Sequence, residues 1–158
     1  MCLSVVVWPS VTRCSSASIE VLPLTLPSAT LSSLVSEVTG CGRVMVPWRI
    51  DVPQGQTIHV TLHDFGVYLT RRWSSTARAK QVTLYPAPHG VESCLLYAVL
   101  WEPIVNDGGN VSICGGKQRL ASVYSSRTNR LEVGISRAEL GRSVAHYLLD
   151  YQGYCTEF

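Results

Sequence analysis

CLLYAVLWEPIVNDGGNVSIC, residues 94–114, is the most regular stretch of this chain, and both its ends are cysteines. Between them lie an apolar run, a turn cluster at Asn106, Asp107, Gly108 and Gly109, and the glycosylation triplet Asn110-Val111-Ser112. From Ile113 the text ICGGKQRLASVYSSRTNRLEVGI continues as short apolar-alternating runs separated by turn residues. Cys94 and Cys114 therefore fall at the ends of predicted neighbouring strands, where a disulfide would cross-link the sheet. Closing a ring of that length stabilises a fold by about 3 kcal/mol through the entropy of the unfolded chain, provided the Cα atoms come within bonding distance. Two buried free thiols are the alternative for a cytosolic chain. The triplet tips the reading towards an oxidised pair and makes Asn110 a predicted glycan acceptor.

With 158 residues, 46% of them hydrophobic, the chain can bury one sizeable core and is short for two. Thirteen Lys and Arg against 11 Asp and Glu leave a formal charge of +2, so bulk electrostatics imply no strong attraction to nucleic acid or to a membrane. The six cysteines are Cys2, Cys14, Cys41, Cys94, Cys114 and Cys155, and neither a CxxC pair nor a Cys-His cluster with zinc spacing is present to use them. Oxidation in a secretory lumen is the simpler account, which implies a secreted chain or the ectodomain of a membrane protein. No stretch approaches the roughly 18 apolar residues of a spanning helix, so this segment is not expected to insert into a membrane. The apolar run at residues 3–8 lacks a preceding basic residue and is cut by Pro9 and Arg13, short of a signal-peptide core. The expectation is a fragment of a longer secreted or membrane-anchored protein.

Residues 1–40 hold neither the helical nor the strand period, and they read as a poorly ordered leader or linker. From Gly40 the text changes. In PWRIDV, Trp48, Ile50 and Val52 alternate with Arg49 and Asp51; Pro53, Gln54 and Gly55 then form a turn. In QTIHVTLHDF, Ile58, Val60 and Leu62 point inward and Thr57, His59, Thr61 and His63 outward, until Asp64-Phe65 breaks the phase as a bulge or strand end would. Further strands are predicted at 81–85, 95–102, 121–125, 130–136 and 144–151, and one short helix around 137–141. The last two strands read as buried on one face only. Turn signals between short alternating runs match an antiparallel sandwich better than a parallel sheet with crossover helices.

Taken in order, these residues resemble a CUB domain, an extracellular jelly-roll β-sandwich of about this size. The resemblance runs over residues 41–155 through Cys41-Gly42, Trp48-Arg49-Ile50, Pro53-Gln54-Gly55, Asp64-Phe65, Cys94, Asp107-Gly108, Cys114-Gly115-Gly116, Leu131-Glu132-Val133 and Ala145-His146-Tyr147-Leu148-Leu149. The wording PWRI, ICGGKQR and YLLDY is most similar to CUB modules of invertebrate extracellular proteins. It implies an all-β, CUB-like jelly-roll antiparallel β-sandwich at 41–155, with residues 1–40 ahead of it. The family's second cysteine, just before the Trp, is replaced here by Val46 and Pro47, so the resemblance leaves Cys41 without its customary partner and offers Cys155, on the last strand, as a substitute. Many such domains bind calcium through acids that this chain lacks: Leu95, Leu96, Tyr97 and Ala98 follow Cys94, and Ser136-Arg137-Ala138 stands where an Asp is expected. Glu102, Asp107 and Glu139 are not visibly convergent, so no calcium site and no other cofactor is expected.

His59 and His63 suggest zinc by their spacing, but in a strand they only share a solvent face, and no third ligand has suitable spacing. A serine nucleophile elbow, GxSxG, is absent, and NDGGNVSICGGKQ fails the phosphate-loop spacing, which leaves tight turns as its explanation. The best binding candidate is residues 71–80, where Arg71, Arg72, Trp73, Arg78 and Lys80 combine four cations with an aromatic ring and no acid. An extracellular protein with an acidic face or an acidic, heparin-like glycan would suit it; nucleic acid would not, because the patch is short and the compartment wrong. The alternative is a solvated loop that keeps the sandwich soluble. The functional expectation is a non-catalytic recognition module making protein–protein or protein–glycan contacts within a larger protein. The rival expectations are the accessory domain of a protease whose catalytic part lies outside this chain, and a structural matrix module.

Overall fold

Period-two alternation of apolar and polar side chains builds two sheets, which bury their apolar faces against each other. The computed structural model describes residues 14, 22–24, 26–67, 94–105 and 109–155. In chain order the elements are β1 (Leu22–Leu24), β2 (Ser28–Ser32), α1 (Ser33–Thr39), β3 (Trp48–Asp51), β4 (Gln56–Asp64) and β5 (Leu95–Trp101). Then follow β6 (Val111–Gly115), β7 (Leu120–Ser125), β8 (Arg130–Ile135), β9 (Ala138–Leu140), β10 (Ser143–Ala145) and β11 (Tyr147–Cys155). A five-stranded sheet has the order β1-β3-β8-β5-β6, a four-stranded sheet the order β2-β11-β4-β7, and β9 and β10 form a small hairpin. All neighbours pair antiparallel except β1 and β3, which run parallel at an edge. The molecule is therefore an all-β sandwich, and through its first four strands the chain changes sheet at every step, as jelly-roll topologies do.

The core lies between the layers. Ile50, Leu100, Leu131 and Val133 of the five-stranded sheet meet Ile58, Val60, Leu149 and Tyr151 of the four-stranded one, all at 2% exposure or less. On β4 the inward series Ile58, Val60, Leu62 continues without interruption to Asp64, which is fully buried. The expected break of phase at Asp64 does not occur; its carboxylate finds polar partners inside instead. β8 also departs from expectation. It is buried on both faces, because Arg49 and Trp101 cover Glu132 from the neighbouring strands.

Several boundaries move. The leader expected up to residue 40 contains β1, β2 and α1; β2 pairs with β11 over five residues and places Leu31 in the core. Strands of three and five residues, the first containing Pro23 and the second preceded by Pro27, are too short to show a sustained period in the sequence. α1 ends at Gly40, whose left-handed φ of 78° lets its N–H reach the Ser36 carbonyl. The helix expected around 137–141 is instead the strand β9, paired with β10. A single strand over 144–151 is interrupted at His146, which separates β10 from β11. The strand expected at 81–85 lies outside the described residues.

Cys94 and Cys114 form the expected disulfide, with Cα atoms 5.1 Å apart. The Cys41–Cys155 link does not form. Cys41 pairs with Cys14, Cα to Cα 5.0 Å, and ties the chain ahead of β1 to the turn before β3. Cys155 ends β11 in the other sheet, exposed and unbridged, with Gln56 Nε2 3.6 Å from its sulfur. Cys155 thus lies on a strand of the four-stranded sheet, whereas Cys41 lies in the turn that leads into the five-stranded one. Peptide mapping without reduction should recover Cys14–Cys41 and Cys94–Cys114 as linked pairs and Cys155 as an alkylated free thiol. A Cys41–Cys155 peptide would contradict this arrangement.

Candidate functional site

Three polar constellations stand out, and two of them are structural. Asp64 accepts hydrogen bonds from Tyr97 Oη at 2.7 Å, the Gly66 N–H at 2.7 Å and the Gly116 N–H at 2.6 Å. Tyr97 belongs to the opposite sheet, so the carboxylate spans the sandwich. The Tyr97 ring stacks on Tyr147 at 4.2 Å, and Tyr147 Oη donates to the carbonyls of Tyr97 and Ser136. Burial, together with the Asp64 hydrogen bond, pushes the Tyr97 hydroxyl far above its ordinary value; burial does the same to Tyr147. Gly115 makes room for this stack, since a Cβ there would fall 1.9 Å from the Tyr97 ring. Replacing Tyr97 by Phe removes one donor from a buried carboxylate and should cost about 1.5–3 kcal/mol of unfolding free energy, measured by urea titration, with Asp64→Asn costing at least as much.

Glu102, just after β5, gathers the loop that joins β7 to β8. Its Oε1 accepts from Tyr124 Oη at 2.7 Å and the Arg127 N–H at 2.9 Å, and its Oε2 from the Thr128 N–H at 2.8 Å and hydroxyl at 2.7 Å. Burial raises the Glu102 pKa, but these hydrogen bonds together outweigh it and hold the carboxyl below its ordinary value. Tyr124 is correspondingly pushed up to about 12 by burial and by Glu102. A depressed carboxyl contributes stability above its unfolded value, near 4.3, and loses it as the pH falls through the folded value. Urea midpoints followed from pH 7 to pH 3 should therefore drop further for the wild type than for Glu102→Gln, which starts lower at pH 7.

The third constellation covers the outer face of the four-stranded sheet. There the outward residues of β2, β11 and β4 lie in register: Asp150 between Thr30 and Thr61, Gln152 between Ser28 and His59. They line an open groove of about 450 Å³ that also reaches His63, Leu120 and Tyr154. Asp150 accepts from Thr30 Oγ1, and its Oδ2 lies 2.6 Å from His63 Nε2. His59 packs edge-on against Tyr154, ring centroids 4.5 Å apart, and Tyr154 Oη donates to Gln152 Oε1 at 2.9 Å. Ser125 Oγ is 3.4 Å from His59 Nε2. The hydroxyl–imidazole pair and the imidazole–carboxylate pair thus use different histidines, and these four residues do not assemble a Ser-His-Asp relay.

The sequence-selected residues fall in different places. His59 and His63 share the outer face of β4 as expected, and among the described residues no three His, Cys, Asp or Glu side chains converge on a metal-sized site. Glu102 is engaged with Tyr124 and Thr128, whereas Glu139 is exposed and pairs with Arg137 at 3.0 Å. Asn110 is exposed immediately ahead of β6. Arg71, Arg72, Trp73, Arg78 and Lys80 lie outside the described residues, as does Asp107. The sequence reading missed the groove's Asp150, Gln152 and Tyr154, although their alternation with Leu149 and Tyr151 was the available signal. Among the described residues no helix is long and apolar enough to cross a membrane. No protein-family model matches this chain, and no curated protein matches it.

Proposed function

We propose that this chain is a non-catalytic extracellular recognition module of the CUB type, making protein–protein or protein–glycan contacts within a larger secreted or membrane-anchored protein. The observation that carries this reading is covalent: two disulfides brace the sandwich, which fits an oxidising compartment, and Asn110 stands exposed immediately ahead of β6. A rigid β-framework with polar outer surface suits presentation of contacts better than turnover, since the outer-face groove offers one carboxylate and no assembled relay among the described residues. The cationic segment at 71–80 supplies a second contact region, for an acidic glycan or protein face.

A structural module that assembles with copies of itself is the second reading. It draws on exposed apolar side chains, Leu34, Val35 and Val38 on α1 and Val44 and Met45 in the following turn.

Expressed in eukaryotic cells behind a secretion signal, the chain should reach the medium oxidised, with a glycosidase-sensitive mass shift that Asn110→Gln removes. It should then be retained on immobilised sulphated glycan, and Arg71→Ala with Arg72→Ala should weaken that retention. Intracellular accumulation as a reduced, unglycosylated species would count against the extracellular assignment.

A further inference from the structure

The outer groove of the four-stranded sheet has the chemistry of a sugar site, and we infer that it binds a neutral oligosaccharide; this rests on the recognition reading above and names its ligand. Among the described residues the lining contains no Lys or Arg, which removes the cations that a sulphated or carboxylated glycan, a phosphate or a nucleic acid would need. Leu120 is its one exposed large aliphatic side chain, too little for an apolar peptide or a lipid surface. What remains is a field of hydroxyl, imidazole, amide and carboxylate groups at strand spacing, about 4.8 Å across the sheet and roughly 6.6 Å along it, the scale on which a sugar ring presents its hydroxyls.

Two halves of the groove divide the work. At one end Tyr154, 46% exposed, is braced edge-on by His59 and offers a ring face to the C–H face of a pyranose. Its own hydroxyl bonds Gln152 Oε1, which leaves the Gln152 amide N–H groups to donate to a sugar oxygen. At the other end Asp150 is held by Thr30 and His63, while its side chain keeps 43% of its exposure, so it can still accept from a sugar hydroxyl without reorienting. The volume of about 450 Å³ falls in the range of ligand-sized clefts, about 300–1,000 Å³. Among the described residues Asp150 is the one carboxylate lining the groove, a set of groups that suits binding of the sugar.

The test uses the full, oxidised chain, titrated calorimetrically with gluco-, manno-, galacto- and N-acetylglucosamine tetrasaccharides and with heparin tetrasaccharide, alongside amide shift mapping. At least one neutral tetrasaccharide should bind saturably and shift Gln152, Tyr154 and His59. Tyr154→Ala should weaken it about tenfold, and Asp150→Ala should weaken it too, both in variants whose amide spectra show the folded sandwich. Glu139→Ala, exposed and outside the groove lining, should leave neutral-sugar affinity intact. Neutral binding that survives both Tyr154→Ala and Asp150→Ala overturns the groove assignment. Binding of heparin alone, lost in the double Arg variant, overturns the neutral-sugar inference while the recognition reading stands. Failure of every oligosaccharide, together with a chain retained reduced inside the cell, removes both.

Discussion

A buried carboxylate joins the two layers of this sandwich. Asp64 sits at the last inward position of β4 and receives its hydrogen bonds from Tyr97 on the facing sheet and from backbone N–H groups at Gly66 and Gly116. Burying a carboxylate is costly unless its lone pairs are filled, and the donors that fill them come from two turns and the opposite layer. Close packing of the aliphatic side chains favours one alignment of the sheets, and directional hydrogen bonds add to that preference. The hydrogen bonds from Tyr97 to Asp64 and from Tyr147 to Tyr97 and Ser136 permit one alignment. β4 and β11, which carry Asp64 and Tyr147, pair in one register over nine residues without a bulge.

That register positions the outer face. Because side chains alternate, the same pairing that turns Leu149 and Tyr151 inward sets Asp150 and Gln152 outward in line with Thr61 and His59. The groove is thus the reverse side of the core, and a one-residue slip would exchange the two. The disulfides act elsewhere: Cys14–Cys41 ties the amino-terminal segment to the turn ahead of β3, and Cys94–Cys114 joins β6 to the start of β5 at the sheet edge. They restrict the unfolded chain while the polar clamp selects the folded one. Glu102 does for the β7–β8 loop what Asp64 does for the layers, with Tyr124, Arg127 and Thr128 all donating to it.

Legibility followed local repetition. The alternations at 48–52, 56–63 and 147–151 were readable because each apolar series faces one core. The pairing of Cys94 with Cys114 was readable because the two strands between them form a hairpin. β1 and β2 were not readable, because strands of three and five residues, the first containing a proline and the second preceded by one, carry too few periods. β8 was misread as half-exposed, because the cover over Glu132 comes from Arg49 and Trp101, 83 and 31 residues away in the chain. The partner of Cys41 was misread for the same kind of reason: nothing local distinguishes Cys14 from Cys155.

By itself, the order of residues determined the all-β class and the inward faces of the long strands, which depend on neighbours within a few positions along the chain, and one disulfide, whose cysteines lie 20 positions apart at the ends of one hairpin. Only the tertiary structure decided that Asp64 lies inside, that Cys14 completes the second bridge and that Thr30, His59, Asp150, Gln152 and Tyr154 share one groove. Those facts depend on which strands lie side by side, and strand adjacency is set by packing and hydrogen bonding between segments far apart in sequence.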